Sequence, residues 1–342
     1  MLISLIVIGV YYFVYFKAQS LIQNLLENAA VYGARIKGAA YPVYLFGNVG
    51  VGDGRASVIV SAAVMILFGL MWGLLSHSFL KIATSTGKVV RREYREVRSR
   101  QRSIDTALLS REFSHFTASP SYMLNCGLGT FLMPLCAIAV LWKGSELFSL
   151  LDTMFAETAG SVPLLLCVVL CGLASMNFMT APSISLEGKS IWLLQSLPVE
   201  PWRIFQAKIR IQLLLTGLPL LLCIVCTAAV YPLHSIQLLI LLLFAGSYIL
   251  LMALVGLFLG VKMPTLTWTN EIVLIKQGAP VMITLLGGFG YMVLLFVGLM
   301  LLPGWVLGFC GYMSCFVGAN LLLSGGIYLW LRKKGVARFS AL

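Results

Sequence analysis

Apolar runs long enough to cross a bilayer alternate with short polar intervals along this chain. A bilayer core takes about 20 residues of helix. Runs of that order lie at 1–17, 56–80, 121–142, 161–181, 210–232, 236–261, 279–302 and 304–330. The pattern predicts an all-α fold, a polytopic helical membrane bundle of about eight spans with short interfacial helices on the cytoplasmic side. The first run has no Lys or Arg ahead of it, and Tyr11, Tyr12, Phe13, Tyr15 and Phe16 crowd its end. It reads as a retained helix rather than a signal peptide, although Ala18-Gln19-Ser20 has a faint likeness to a cleavage site. Residues 1–342 read as one polytopic domain: two spans and an outer loop over 1–80, a basic segment over 81–120 and a six-span core over 121–342.

Composition agrees with this pattern. The chain is 60% hydrophobic and 11% charged, against about a quarter charged in soluble domains. A net charge of +12 would suit nucleic acid if the basic residues formed a free surface. They lie beside apolar spans instead, where the pairing is with anionic lipid. Lys81, Lys88, Arg91, Arg92, Arg95, Arg98, Arg100, Arg102 and Arg111 precede the third span, and Arg332, Lys333, Lys334 and Arg338 follow the last. Residues 182–210 and 262–278 fall on the same side, whereas 143–160 is acidic on balance. The positive-inside rule therefore predicts a multi-pass plasma-membrane protein with both termini cytoplasmic. All eight cysteines sit in apolar stretches and read as buried thiols. Gly69/Gly73, Gly256/Gly260 and Gly304/Gly308 have the spacing for close helix approach within the chain.

Several chemistries are missing. No Asp, Glu, Lys or Arg lies in the core of the last six runs, which argues against a proton-relay carrier. Asn125, Asn177 and Asn320 are the polar groups that either line a substrate route or hold helices together. There is no HExxH, no GxSxG and no pair of acids within a span, so catalysis is not expected. Gly188-Lys189-Ser190 ends like a phosphate-binding loop. But Ser183 stands where the first glycine belongs, and an apolar helix precedes it instead of a strand. Gly87-Lys88 fails too, with Ile82 and Val89 at the required positions.

The stretch "SISLEGKSIWLLQSLPVEPWRIFQAKI" reads as a structured loop. Ser185 is placed to cap a short helix, and Ile191, Trp192, Leu194 and Leu197 supply its apolar contacts. Pro198 ends that helix and Pro201 opens the next. Trp202, Lys208 and Arg210 suit the cytosolic edge of a span.

Three stretches resemble the permeases of type-2 ABC exporters, in particular the C-terminal portion of large ones of Gram-positive type. The first carries the likeness through Ser185, Glu187, Gly188, Lys189, Trp192, Leu197, Pro198, Ala207 and Lys208. The second, "KMPTLTWTNEIVLIKQG", carries it through Pro264, Trp268, Thr269, Asn270, Glu271, Lys276 and Gln277. The third, "SREFSHFTASPSYMLN", carries it through Arg111, Glu112, Phe113, Pro120, Tyr122 and Asn125.

The resemblance implies a pathway subunit that is not itself an enzyme. A separate ABC-type ATP-binding subunit would carry ATP-Mg, and this chain would bind no cofactor or metal. Coupling to that subunit is expected at Glu187, Gly188, Lys189, Trp192, Leu197 and Pro198, with a second contact at Trp268, Asn270, Glu271 and Lys276. A second permease copy or half is a further expected partner, as are anionic lipids; nucleic acid is not. An ATP-independent carrier or channel, or a non-transporting membrane scaffold, are the alternative readings. The transported substrate is open.

Overall fold

A computed structural model describes Gln19, Gln23, Glu27 and residues 29–39, 41–84, 103–154, 161–301 and 304–342. The predicted span at 1–17 and residues 85–102 of the basic segment lie outside these residues. The regular elements described are helical, and one isolated β-bridge joins Gly127 to Asn177. Contacts divide the chain into two units, one within Ala18–Gln101 and one within Arg102–Leu342.

The smaller unit holds α1 (Ala29–Ala39), α2 (Tyr41–Val51) and α3 (Gly54–Thr84). α3 exposes apolar side chains around its circumference, among them Met65, Ile66, Leu67, Phe68 and Trp72. A helix apolar on all sides suits a hydrocarbon surround. Gly69 and Gly73 have nothing within contact distance of where a side chain would begin.

The larger unit begins with α4 (Ile104–Ala118), α5 (Pro120–Cys126), α6 (Leu128–Met154) and α7 (Ser161–Ser175). A 3-10 turn (Ser185–Ser190) and α8 (Ile191–Gln195) lead into α9 (Pro201–Val230) and α10 (Ser235–Lys262). Then come α11 (Glu271–Gln277), α12 (Ala279–Leu301), α13 (Gly304–Trp330), a π turn (Leu331–Gly335) and α14 (Val336–Ser340). α10 is the most buried of the long helices. Its N-terminal half joins α6, α7, α9, α12 and α13 in one apolar core that includes Met133, Cys171, Ile224, Phe244, Tyr248 and Met313. A second core, around Ile204, Phe205, Leu257, Leu331 and Phe339, closes one end of the bundle.

Among the described residues, six helices are long and apolar enough to cross a membrane: Gly54–Phe79, Leu128–Thr153, Pro201–Val230, Ser235–Lys262, Glu271–Gly298 and Gly308–Ser340. This is an all-α, multi-pass membrane bundle. The count of eight is not reached among the described residues. The run at 121–142 is divided at Gly127, where a Cβ would meet the Phe116 ring at 2.6 Å. Pro120 and the Ser119 side chain, which accepts from the Tyr122 amide at 3.2 Å, start α5 as a separate turn. The run at 161–181 stops helical at Ser175, leaving 15 residues, about 22 Å at 1.5 Å per residue. Beyond it Asn177 Oδ1 accepts from the Thr130 amide, the Ser183 hydroxyl donates to Thr180 O, and Pro182 has no N–H to continue a helix. Conversely, α9 begins at Pro201, well before the apolar run at 210, and so carries Lys208 and Arg210 within the helix.

Candidate functional site

Past Ser175 the chain runs through the bundle without regular structure as far as the 3-10 turn. Residues 177–188 are nonetheless buried throughout. Buried irregular backbone needs hydrogen-bond partners, and here side chains from other elements supply them. The Gln212 amide of α9 donates to Asn177 O at 3.0 Å and accepts from the Thr180 amide at 2.8 Å. The Tyr122 hydroxyl of α5 donates to Met179 O at 2.6 Å. Lys208 Nζ donates to Ser183 O at 3.2 Å, and Trp268 Nε1 donates to Ser185 O at 2.7 Å. The Phe178 amide donates to Cys126 O at 3.0 Å, across the break between α5 and α6. Gly256 and Gly260 of α10 make room for this strand of chain: a Cβ on the first would overlap the Thr180 hydroxyl, and on the second would lie 2.7 Å from Ala181 O.

One end of the segment is fixed by a buried ion cluster. Lys208 is fully buried, and donates to Glu112 Oε1 and Oε2 at 3.1 and 3.0 Å and to Glu187 Oε1 at 2.9 Å. Arg111 spans the two carboxylates, at 2.6 Å from Glu187 Oε2 and 2.9 Å from Glu112 Oε1. Two cations face two anions, so the cluster is neutral. Burial alone would raise the Glu187 carboxyl, but Lys208 and Arg111 outweigh it and hold it at about 2. Burial likewise works against the Arg111 cation, and Glu187 and Glu112 override it to raise its affinity for the proton. The cluster ties α4, the 3-10 turn and α9 together.

The second stretch closes over the first. Gly188 has φ +53°, and a Cβ there would lie 3.1 Å from Trp268 Nε1. Ser185 Oγ accepts from the Thr265 amide at 3.0 Å. It therefore holds the 264–270 loop rather than capping its own helix, and the 3-10 turn has no side-chain cap. Asn270 caps α11, accepting from the Ile272 amide at 2.9 Å. α11 in turn packs on α5 through Leu274 and Ile275. The three stretches that carry the resemblance thus meet in one place.

The structure sorts the expected coupling residues into two groups. Glu187 and Gly188 are buried, Trp268 and Glu271 are half-buried, and each of these but Glu271 is engaged in the packing just described. Lys189, Trp192, Leu197, Pro198, Asn270 and Lys276 are exposed. Within α8, Ile191 and Leu194 point into the core, while Trp192, Leu193 and, just beyond, Leu197 stand out with 60%, 51% and 40% exposure. Gln195 Nε2 donates to Phe339 O at 2.7 Å, which fastens α8 to the C-terminal helix α14.

Lys208 is not at an open edge, because α9 starts early and turns it inward. Arg210 is half-exposed and lies 3.6 Å from Asp105. Of the three asparagines, Asn125 is half-buried and donates to Ser121 O. Asn177 and Asn320 are fully buried. Asn320 accepts from Tyr291 OH at 2.8 Å and donates to Ser247 Oγ at 3.3 Å, joining α10, α12 and α13. Glu112, Tyr122, Gln212 and Lys208 are the structural anchors that the expected coupling set left out. Spacing carries a signal for two of them: Glu112 lies four residues from both Leu108 and Phe116 on the buried face of α4, and Lys208 four residues from Ile204 on α9.

The chain matches no protein-family model, no curated protein and no solved structure.

Proposed function

We propose that this chain is the transmembrane permease subunit of an ATP-driven exporter, worked by a separate ATP-binding subunit. The observation that carries the reading is α8. An exposed apolar edge of Trp192, Leu193 and Leu197 projects from a segment that the buried ion cluster anchors to α4 and α9. A lever of this kind transmits force, since its base is fixed in the bundle and its tip is free for a partner. Exposed Trp and Leu on a short helix also suit insertion into a groove on a soluble protein. ATP-Mg would sit on that partner.

Affinity purification from native membranes in mild detergent, with mass spectrometry of the bound proteins, tests the reading. An ATP-binding subunit should co-purify with the wild type, and its ATPase activity should change when the two are reconstituted in vesicles. Clean recovery of the chain alone would turn the reading toward an ATP-independent carrier. A partner whose ATPase is unaffected by any cargo would turn it toward a scaffold.

A further inference from the structure

Where α7 breaks, two buried side-chain atoms have no protein partner: Asn177 Nδ2 and Thr216 Oγ1. Asn177 is 0% and Thr216 1% exposed. They belong to the same neighbourhood. Thr130 gives its amide to Asn177 Oδ1 at 3.1 Å and its hydroxyl to Leu215 O at 3.0 Å, so it joins the Asn177 amide to the turn of α9 that carries Thr216. Thr216 also follows Gln212 by one turn on the buried face of α9, and Gln212 donates to Asn177 O. We infer that the break in α7 holds one internal water molecule, shared by Asn177 Nδ2 and Thr216 Oγ1.

The chemistry of the two groups selects this ligand. Buried polar atoms without partners are costly, and internal waters are the usual remedy where two or more polar groups converge. A sodium ion is the other ligand that unwound backbone and neutral oxygens can hold at a helix break. Asn177 Nδ2 argues against it, because an N–H donor repels a cation. The Asn177 oxygen is already engaged by the Thr130 amide, which fixes the amide with its NH2 toward the free side. Water accepts from Asn177 and either donates to or accepts from Thr216. It would satisfy the break without adding charge to the apolar core.

The direct test is a high-resolution map of the purified wild-type protein. One ordered water within about 3.2 Å of both atoms is the expected result. No density there, or a site crowded by carbonyl oxygens at metal–ligand distance, overturns the inference. Thermal unfolding of Thr216→Val gives a second arm. Removing a hydroxyl that holds water should lower the apparent melting temperature by roughly 2–6 °C. That loss should largely disappear when the same change is made in Asn177→Ala, because the shared water is already unanchored. A Thr216→Val protein as stable as the wild type, or an equal loss in both backgrounds, contradicts it. If Asn177→Ala does not fold, the map and the sign of the single Thr216→Val shift still decide.

Discussion

Lys208 is the residue on which the site turns. It makes four polar contacts from a position with no solvent exposure, two carboxylates among them. Removing one partner from a buried pair typically costs about 3–5 kcal/mol, since the remaining charges are stranded. Lys208→Met should therefore lower stability by an amount of that order, measured by thermal unfolding in detergent. Glu187 sets the pH dependence of the same cluster. Its carboxyl titrates near 4.5 when free and near 2 in the fold. Above pH 4.5 both states are ionised and this contribution is complete and level. As the pH falls from 4.5 toward 2, the unfolded chain takes up a proton that the folded one refuses, and stability is lost. Unfolding measured from pH 7 to pH 3 should show that decline, and Glu187→Gln should flatten it. A decline of equal slope in the variant would assign it to other carboxylates.

At the scale of the element, the buried segment after Ser175 depends on α10 having no side chains at Gly256 and Gly260. Gly256→Leu should force the segment away from Gln212, costing about 1–3 kcal/mol by overpacking. Proteolysis between residues 176 and 200 should become faster. Unchanged cleavage would mean that α10 does not brace the segment. Little of this was legible in the sequence. Hydropathy treats 161–181 as one span because Phe178, Met179 and Ala181 are as apolar as the helix before them. What holds the buried backbone beyond the helix is a set of distant partners, Tyr122, Gln212 and Trp268, and a search by local periodicity sees none of them. One end was legible: Pro201 begins the helix that its chemistry predicts. The Gly256/Gly260 spacing does mark close packing within the chain, against irregular backbone rather than another helix.

For the whole molecule, an all-α membrane bundle follows directly from the apolar runs, and six of them are membrane-length helices in the structure. The basic residues predict that the C-terminus faces the cytoplasm. Gln195 links α8 to α14, so both lie at the same end of the bundle. A cysteine at exposed Lys333 should react with an impermeant reagent only when the cytoplasmic face is open. The candidate site was partly legible: its stretches could be picked out, but not the division between side chains that face inward and those that face out. Glu187 and Lys208 build the mount, and under the proposed function the exposed Trp192 is the side chain that would meet the partner. The decisive measurement is co-purification of an ATP-binding subunit with wild type and with Trp192→Ala, alongside the melting temperature of each. Retained melting temperature with the subunit lost is the result expected. A Trp192→Ala protein that still brings down the subunit in full would contradict the account.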